Sequence, residues 1–218
     1  MDAAIEGLRP GLRDVLAKLG LGTTEPQINA LLAYLTLLQR WNATYNLTAV
    51  RQPSQMLTQH LADCLAVIGP LRREIGAQPC RLLDVGSGGG LPGVVIAILT
   101  PSIEVTCVDT VGKKAAFVQQ VAAELRLRNL HAKHARVEQM TIDTCDVVTS
   151  RAFASLADFV NLTAGHLAAS GIWMAMKGKA PVGEMAQLPG SVDVFHVEQL
   201  AVPGLDAERC IVWMRPKR

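Results

Sequence analysis

Arg81-Leu82-Leu83-Asp84-Val85-Gly86-Ser87-Gly88-Gly89-Gly90-Leu91-Pro92-Gly93, continuing into Val94-Val95-Ile96-Ala97-Ile98-Leu99, is the stretch on which the reading of this chain turns. Its first apolar run is short and ends in glycines, the pattern of a buried strand. The second run is compatible with helix or strand. Pro92 settles it, because proline in a first turn has the φ that a starting helix needs. The unit is strand, glycine loop, helix. Glycines there allow positive φ and let a ligand touch bare backbone, and the helix start offers unpaired N–H groups to an anion.

Gly88-x-Gly90-x-x-Gly93 satisfies the dinucleotide fingerprint, which alone is a weak signal. Two carboxylates favour another nucleoside. Asp84 closes the first strand, giving Asp84-x-Gly86-x-Gly88-x-Gly90, and a negative charge there suits an ammonium group better than a pyrophosphate. Asp109 closes the next apolar run, Ile103 to Val108, about 20 residues past the loop, where an acidic residue binds ribose hydroxyls. An amino-acid ammonium plus a ribose, without phosphates, describes S-adenosylmethionine. The competing readings are NAD and a tight turn without a ligand.

Outward from this unit, 218 residues suffice for one α/β domain with an extension, or for two small domains. Half of the residues are hydrophobic, which excludes a disordered chain, and no apolar run reaches the 18 or so residues of a membrane span. The acidic start, Met1 to Glu6, lacks the basic opening of a signal peptide. Cys64, Cys80, Cys107, Cys145 and Cys210 form no C-x-x-C pair, which argues for reduced thiols, a cytoplasmic location and no metal site. A net charge of +2 is too small to argue for nucleic acid by itself.

Residues 1–70 read as a helical extension. Leu8, Leu12, Val15, Leu16 and Leu19 fall at helical spacing, and Gly20-Leu21-Gly22 ends that helix. Thr24-x-x-Gln27 is a capping box that opens a helix with Ile28, Leu31, Leu32, Leu35 and Leu38 on one face. At Trp41-Asn42-Ala43-Thr44-Tyr45-Asn46-Leu47-Thr48 two aromatics and two asparagines, each four apart, can share a face. A packed aromatic pair with asparagines capping local backbone explains them without a ligand. A third helix, Pro53 to about Val67, sets His60 and Asp63 side by side. Such a pair is more often a surface hydrogen bond than a site.

Residues 71–218 alternate strand and helix from Cys80 onward, with the seam at Gly69-Pro70. Strands are expected at Asn129 to Ala135, Asp146 to Ser150 and Gly171 to Lys177. A helix is expected at Lys113 to Leu125, with Ala116, Phe117, Val118, Val121 and Ala122 inward, and another at Leu156 to Leu167. Val192 to Val202 and Arg209 to Arg215 are two closing strands with a turn at Pro203-Gly204. This predicts an α/β, Rossmann-like fold: a mostly parallel seven-stranded sheet with a closing antiparallel hairpin, preceded by helices.

In such a sheet the ligand sits beyond the carboxyl ends of the strands. After the third strand, Arg136-Val137-Glu138 can read an adenine edge or be a solvated loop. After the fourth, Ser150-Arg151-Ala152-Phe153 sets an arginine at the cleft. Arg126, Arg128, Lys133 and Arg136, with His131 and His134, form a stretch without acids. Lys177, Lys179, Arg215, Lys217 and Arg218 add charge, and clusters of this kind suit a phosphate backbone.

Together these motifs resemble one bacterial family. They are Trp41-Asn42 to Tyr45-Asn46-Leu47-Thr48, His60-x-x-Asp63, Asp84 to Gly93, Lys113-Lys114, Arg136-Val137-Glu138, Ser150 to Ala154 and Lys177-Gly178, in that order. The family is the glucose-inhibited division protein B family, which methylates N7 of a guanosine in 16S ribosomal RNA, and the resemblance implies a class I S-adenosylmethionine-dependent methyltransferase fold. The resemblance runs from about residue 28 to the carboxyl end, and Gly89 stands where relatives often carry proline. It implies cofactor contacts at Gly86, Leu91, Val137, Glu138 and Arg151, with Asp109 on the ribose; Asp84 and Gly88 complete the set from the loop itself. It also implies that Asn46, His60 and Asp63 face the cleft, which with Arg151 and Lys177 makes them the candidates for positioning the base. Arg126, Arg128, Lys133, Arg136 and Lys179 are the candidates for RNA. No general base is expected, because N7 carries no proton. The expected partner is 16S rRNA, whether free, in the small subunit or in an assembly intermediate, and the protein is expected to be a monomer without a membrane. The alternatives from other classes are an NAD-dependent oxidoreductase and a non-enzymatic RNA-binding protein with a vestigial nucleoside pocket.

Overall fold

A computed structural model describes residues 3–76, 78–151 and 153–217; Ala152 of the Ser150 motif and Arg218 of the basic cluster lie outside the described residues. The chain opens with α1 (Ala3–Glu6) and α2 (Arg9–Lys18), which bury Ile5, Leu12, Val15 and Leu16. The capping box at α3 (Glu25–Tyr45) is present: Thr24 accepts from the Gln27 backbone, and the Gln27 side chain accepts in return from Thr24 N–H. Asn46 closes α3 in the left-handed conformation at φ 50°, one of the few non-glycine types that tolerates it.

The single helix expected from Pro53 to Val67 is interrupted. It consists of α4 (Pro53–Met56), a π-helical turn (Leu57–Ala62) and α5 (Asp63–Leu65), followed by α6 (Ile68–Ile75). The wider turn changes the angular offset along the helix, and such bulges recur at functional sites. The seam expected at Gly69-Pro70 falls inside α6. Buried residues on both sides of it, from Leu12 and Leu35 to Val105 and Trp213, belong to one continuous core.

The sheet comprises β1 (Cys80–Val85), β2 (Ile103–Asp109), β3 (Leu130–His134), β4 (Cys145–Ser150), β5 (Leu167–Lys177), β6 (Val192–Gln199) and β7 (Cys210–Pro216), in the order β3-β2-β1-β4-β5-β7-β6. β3, β2, β1, β4 and β5 run parallel; β7 is antiparallel to both β5 and β6. The closing hairpin is as expected, but its second strand inserts beside β5, with Lys177 opposite Cys210. This brings the start of β7 to the carboxyl end of the parallel strands. It also separates the basic residues grouped above: Lys177 and Lys179 lie at that end of β5, while Arg215 lies near the other, where Met214 pairs with Trp173.

Both sheet faces are covered. α3, α5, α7 (Gly93–Leu99) and α8 (Gly112–Glu124) pack on one, and α9 (Leu156–Thr163) packs on the other through Leu156, Phe159 and Val160. The short α10 (Val182–Met185) follows β5 and buries none of its residues. α8 turns Ala115, not Ala116, inward. No helix among the described residues is long and apolar enough to cross a membrane.

Candidate active site

Two carboxylates shape the glycine loop through backbone N–H groups. Asp84 Oδ2 accepts from Gly93 at 2.8 Å, tying the start of α7 to the end of β1. Asp109 accepts from Gly88 and from Val111, both at 2.9 Å. Gly86 and Ser87 donate to Val108 O, so the loop is anchored on β2 as well. The glycines serve different ends. A Cβ on Gly93 would lie 2.4 Å from Cys107 Sγ, and one on Gly90 2.5 Å from Val94, so these two allow close packing. Gly88, at φ +57°, has open space where its Cβ would be, which is the feature of a loop that a ligand can approach.

Three adjoining cavities follow the carboxyl ends of the strands. The first, about 500 Å³, is lined by Gly86, Asp109, Val111, Lys114, Val137, Glu138, Phe153 and Leu162. It has apolar walls, a carboxylate on one side, and an exposed apolar rim of Val111 and Leu162. The second, about 280 Å³, shares Gly86 and Lys114 with the first and adds Ser87 to Gly89, Leu91, Thr48, His60 and Arg151. The third, about 420 Å³, shares His60 and Arg151 with the second and adds Gln59, Asp63, Lys177, Leu200 and Arg209.

Asp84 differs from the expectation of a ligand carboxylate. It is fully buried, lines none of these cavities, and its Oδ1 has no partner among the described residues. Burial pushes its carboxyl up to about 7, with the Gly93 hydrogen bond and Arg151 pulling the other way. Its position is below the loop because Leu83 and Val85 turn to the opposite face of β1. Strand alternation leaves Asp84 under α7.

Asp63 is the hub of the third cavity. Its Oδ2 accepts from Arg151 Nη1 at 3.2 Å and its Oδ1 from Arg209 Nε at 2.8 Å. The carboxylate is buried, while each arginine keeps somewhat over a quarter of its side chain exposed. Arg151 also reaches Gln59 O. His60 is not bonded to Asp63. Its Nε2 lies 2.8 Å from Thr48 Oγ1, and its Nδ1 is buried without a partner among the described residues. Burial, then the charge of Arg151, holds the imidazole below its usual pKa, so it is neutral at pH 7. Lys177 Nζ is occupied by Glu184 at 2.7 Å and Phe153 O at 3.2 Å.

Asn46 departs from its expected place. It is exposed at the end of α3, its Oδ1 accepts from Arg51, and it lines none of the cavities described above. Asn42 instead does the local capping: it is buried, bonds Thr48 N–H and Val50 O, and so presents Thr48 to His60. The basic residues are exposed but divided. Lys133, Arg136 and Lys179 lie toward the carboxyl ends of β3 and β5, whereas Arg126 and Arg128 precede β3, at the far end of the sheet.

Sequence reasoning missed Arg209 and Tyr34 as site residues and gave Thr48 no role beyond its motif. Arg209 reads as the first residue of an ordinary strand, and only the insertion of β7 beside β5 brings it to Asp63. Tyr34, fully buried on α3, donates to Gly89 O at 2.8 Å, which ties the helical layer to the loop. Among the described residues there is no cluster of histidine, cysteine or carboxylate side chains that could hold a metal.

A family model described as rRNA small subunit methyltransferase G, GidB, matches residues 27–212. The ribosomal RNA small subunit methyltransferase G of Leptothrix cholodnii is 64% identical over 199 residues, 91% of each chain. That of Methylibium petroleiphilum is 60% identical over 212 residues, 97% of this chain and 96% of the other. Among solved structures, TrmN from Thermus thermophilus superposes with a TM-score of 0.57 at 16% identity, over 74% of this chain and 53% of that one. The 1,6-didemethyltoxoflavin-N1-methyltransferase of Burkholderia thailandensis does so with 0.56 at 13% identity, over 90% and 92%. At such identities the structural likeness speaks for the fold.

Proposed function

The chain belongs to the GidB family, the rRNA small subunit methyltransferases G, and from that premise we propose that it transfers a methyl group from S-adenosylmethionine to N7 of a guanosine in 16S rRNA. The observation that carries this reading is the continuous line of three cavities, joined at Gly86 and Lys114 and again at His60 and Arg151. The first has the dimensions and chemistry of a nucleoside site. Asp109 is there for ribose hydroxyls, since each carboxylate oxygen retains an acceptor position beyond its backbone bond. Val137 and Glu138 border the space for a base. The second cavity, under Gly86 to Leu91, suits the amino-acid part. Asp84 contributes through its field and by holding the loop. The third cavity, with Arg151, Arg209 and Lys177 around Asp63, suits a guanine and its phosphate.

When bound, S-adenosylmethionine supplies a methyl group activated by a sulfonium. Guanine N7 is an acceptor without hydrogen, so no proton has to be removed. What the protein contributes is alignment and exclusion of water. Asp63 holds the two arginines in fixed orientation, and neutral His60 adds no positive charge to the cleft. The basic residues nearest the cleft, Lys133, Arg136 and Lys179, suit an RNA backbone. We also propose that the protein acts as a monomer, with the amino-terminal helices closing its own cleft.

The test uses labelled S-adenosylmethionine with small subunits that lack the modification, with protein-free 16S rRNA, and with RNA carrying 7-deazaguanosine at the target. Transfer to the natural RNA and its loss on the deaza analogue, with binding retained, is the expected result. Methylation of the deaza substrate would overturn the N7 assignment.

A further inference from the structure

Tyr45 is left unexplained by the site as described. It is 43% exposed, and it is the aromatic residue among the large hydrophobic side chains that the described residues leave exposed. Its ring is nevertheless not loose. It leans on Trp41 at a centroid distance of 4.9 Å and 39°. Trp41 in turn meets the buried Phe117 edge-on at 5.5 Å, and its Nε1–H is held by Gln120 at 3.0 Å. One side of the ring is thus supported from the core while the rest faces solvent.

Tyr45 itself lines none of the three cavities, but its neighbours along the chain do. Leu38, two turns earlier on α3, lines the cavity under the glycine loop, and Leu47 and Thr48, just after the helix, line the same cavity. The backbone at Tyr45 is fixed: its carbonyl accepts from Lys113 Nζ at 2.8 Å, and the next residue closes the helix in the left-handed conformation. Lys113 and Arg51 are both exposed beside it, and Lys114, next along α8, enters the cavity. The surround is therefore positive and the ring itself neutral.

We infer that Tyr45 is a stacking platform for a nucleobase of the RNA substrate adjacent to the target guanosine, with Arg51 and Lys113 meeting the neighbouring phosphates. The inference rests on the rRNA-methylation reading above. A base brought out of its helix for chemistry leaves its neighbours unstacked, and aromatic side chains are what proteins offer to unstacked bases. A ring already braced by Trp41 loses little freedom on engagement.

The experiment compares Tyr45→Leu, Tyr45→Ala, Tyr45→Phe and Tyr45→Trp with the unaltered enzyme. Tyr45→Leu keeps apolar contact with Trp41, so it guards against a variant that merely fails to fold. The readouts are KM for the RNA substrate, kcat, S-adenosylhomocysteine affinity, and quenching of 2-aminopurine placed beside the target. Leu and Ala should raise KM for RNA about tenfold or more, abolish the quenching, and leave kcat and cofactor affinity within about twofold. Phe and Trp should behave like Tyr, because stacking needs the ring and not the hydroxyl. A Leu variant with unaltered KM and unaltered quenching overturns the inference. Failure of the unaltered enzyme to methylate small-subunit rRNA would overturn instead the reading on which it rests.

Discussion

The end of the cleft proposed for the nucleoside and the end proposed for methyl transfer are made of different materials. The first takes most of its polar groups from the stretch Gly86 to Glu138, with Asp158 added from α9, and presents them largely on backbone and strand ends. The second gathers His60 and Asp63, Arg151, Lys177 and Arg209 from four separate segments and holds all but His60, which leans on Thr48, by side-chain ion pairs. Backbone anchored to a sheet confines the damage from one changed side chain to the loop which that side chain holds. A hub such as Asp63 does not, because two arginines take their orientation from it. The difference predicts that damage at the first end appears as lost cofactor affinity and damage at the second as lost rate.

The largest effect is expected from Asp63→Ala. Releasing Arg151 and Arg209 should slow single-turnover methyl transfer by more than about 100-fold, since small misplacements in a site of this kind cost that much. S-adenosylhomocysteine affinity should stay within about threefold. Folding should weaken as well, although the partly exposed arginines can rehydrate and soften the loss. Calorimetry beside quench-flow kinetics checks both. Equal losses of affinity and rate would mean that the two ends are not separable.

Asp109→Ala is the counterpart at the other end. It should weaken cofactor binding by about 1.5–3 kcal/mol, the worth of charge-assisted hydrogen bonds at one site. Part of that loss arises from the loop, because Gly88 and Val111 lose their acceptor. At saturating cofactor the rate should recover most of its value. Persistent slow transfer under saturation would place Asp109 in the alignment of the base.

The same contrast explains what is legible in the amino-acid sequence. The strand-loop-helix unit, Asp109 and the alternation from Cys80 to Lys177 are legible because each depends on neighbours within about 25 residues. The π-turn at Leu57–Ala62 is not, since its apolar spacing is that of an ordinary helix. Nor is Arg209, because nothing near it tells that β7 will lie antiparallel beside β5. Asp84 is legible as a strand-end carboxylate, but spacing does not say which face it takes, and the buried face gives it a loop-holding place. For Trp41 and Tyr45 the spacing shows the packed pair, while the exposure of one ring depends on where α3 ends against α8.

Asp84 sharpens the comparison through stability. Burial raises its carboxyl from 3.8 to about 7, so between roughly pH 4 and 7 the folded state binds more protons than the unfolded. Stability contributed by this group is therefore greatest at the acid side of that window and falls as pH rises through it. Asp84→Asn still accepts from Gly93 but does not titrate. In urea unfolding, the advantage of the natural protein over Asp84→Asn should shrink by about 2 kcal/mol from pH 5 to 8. Parallel curves would show that Asp84 is ionised throughout and that some cation, not yet evident in the fold, faces its free oxygen.

The smallest expected effect is on the rate as a function of pH, and it bears directly on the transfer end. A nucleophile that already presents its lone pair needs no base, so single-turnover methylation should vary less than about threefold from pH 6 to 9. Flatness alone does not decide the matter. Burial and Arg151 lower the pKa of His60, so a His60 base would show its limb below the ordinary histidine range, and the measurement has to extend to about pH 5. His60 is also poorly placed to act as a base, because Nε2 is engaged with Thr48 and Nδ1 is buried without a partner among the described residues. His60→Gln should then lower the rate by loosening the Thr48 loop while leaving the shape of the profile unchanged from pH 5 to 9. An acid limb present in the natural enzyme and absent from the variant would show that the transfer end moves a proton after all, and the target would no longer be a bare N7.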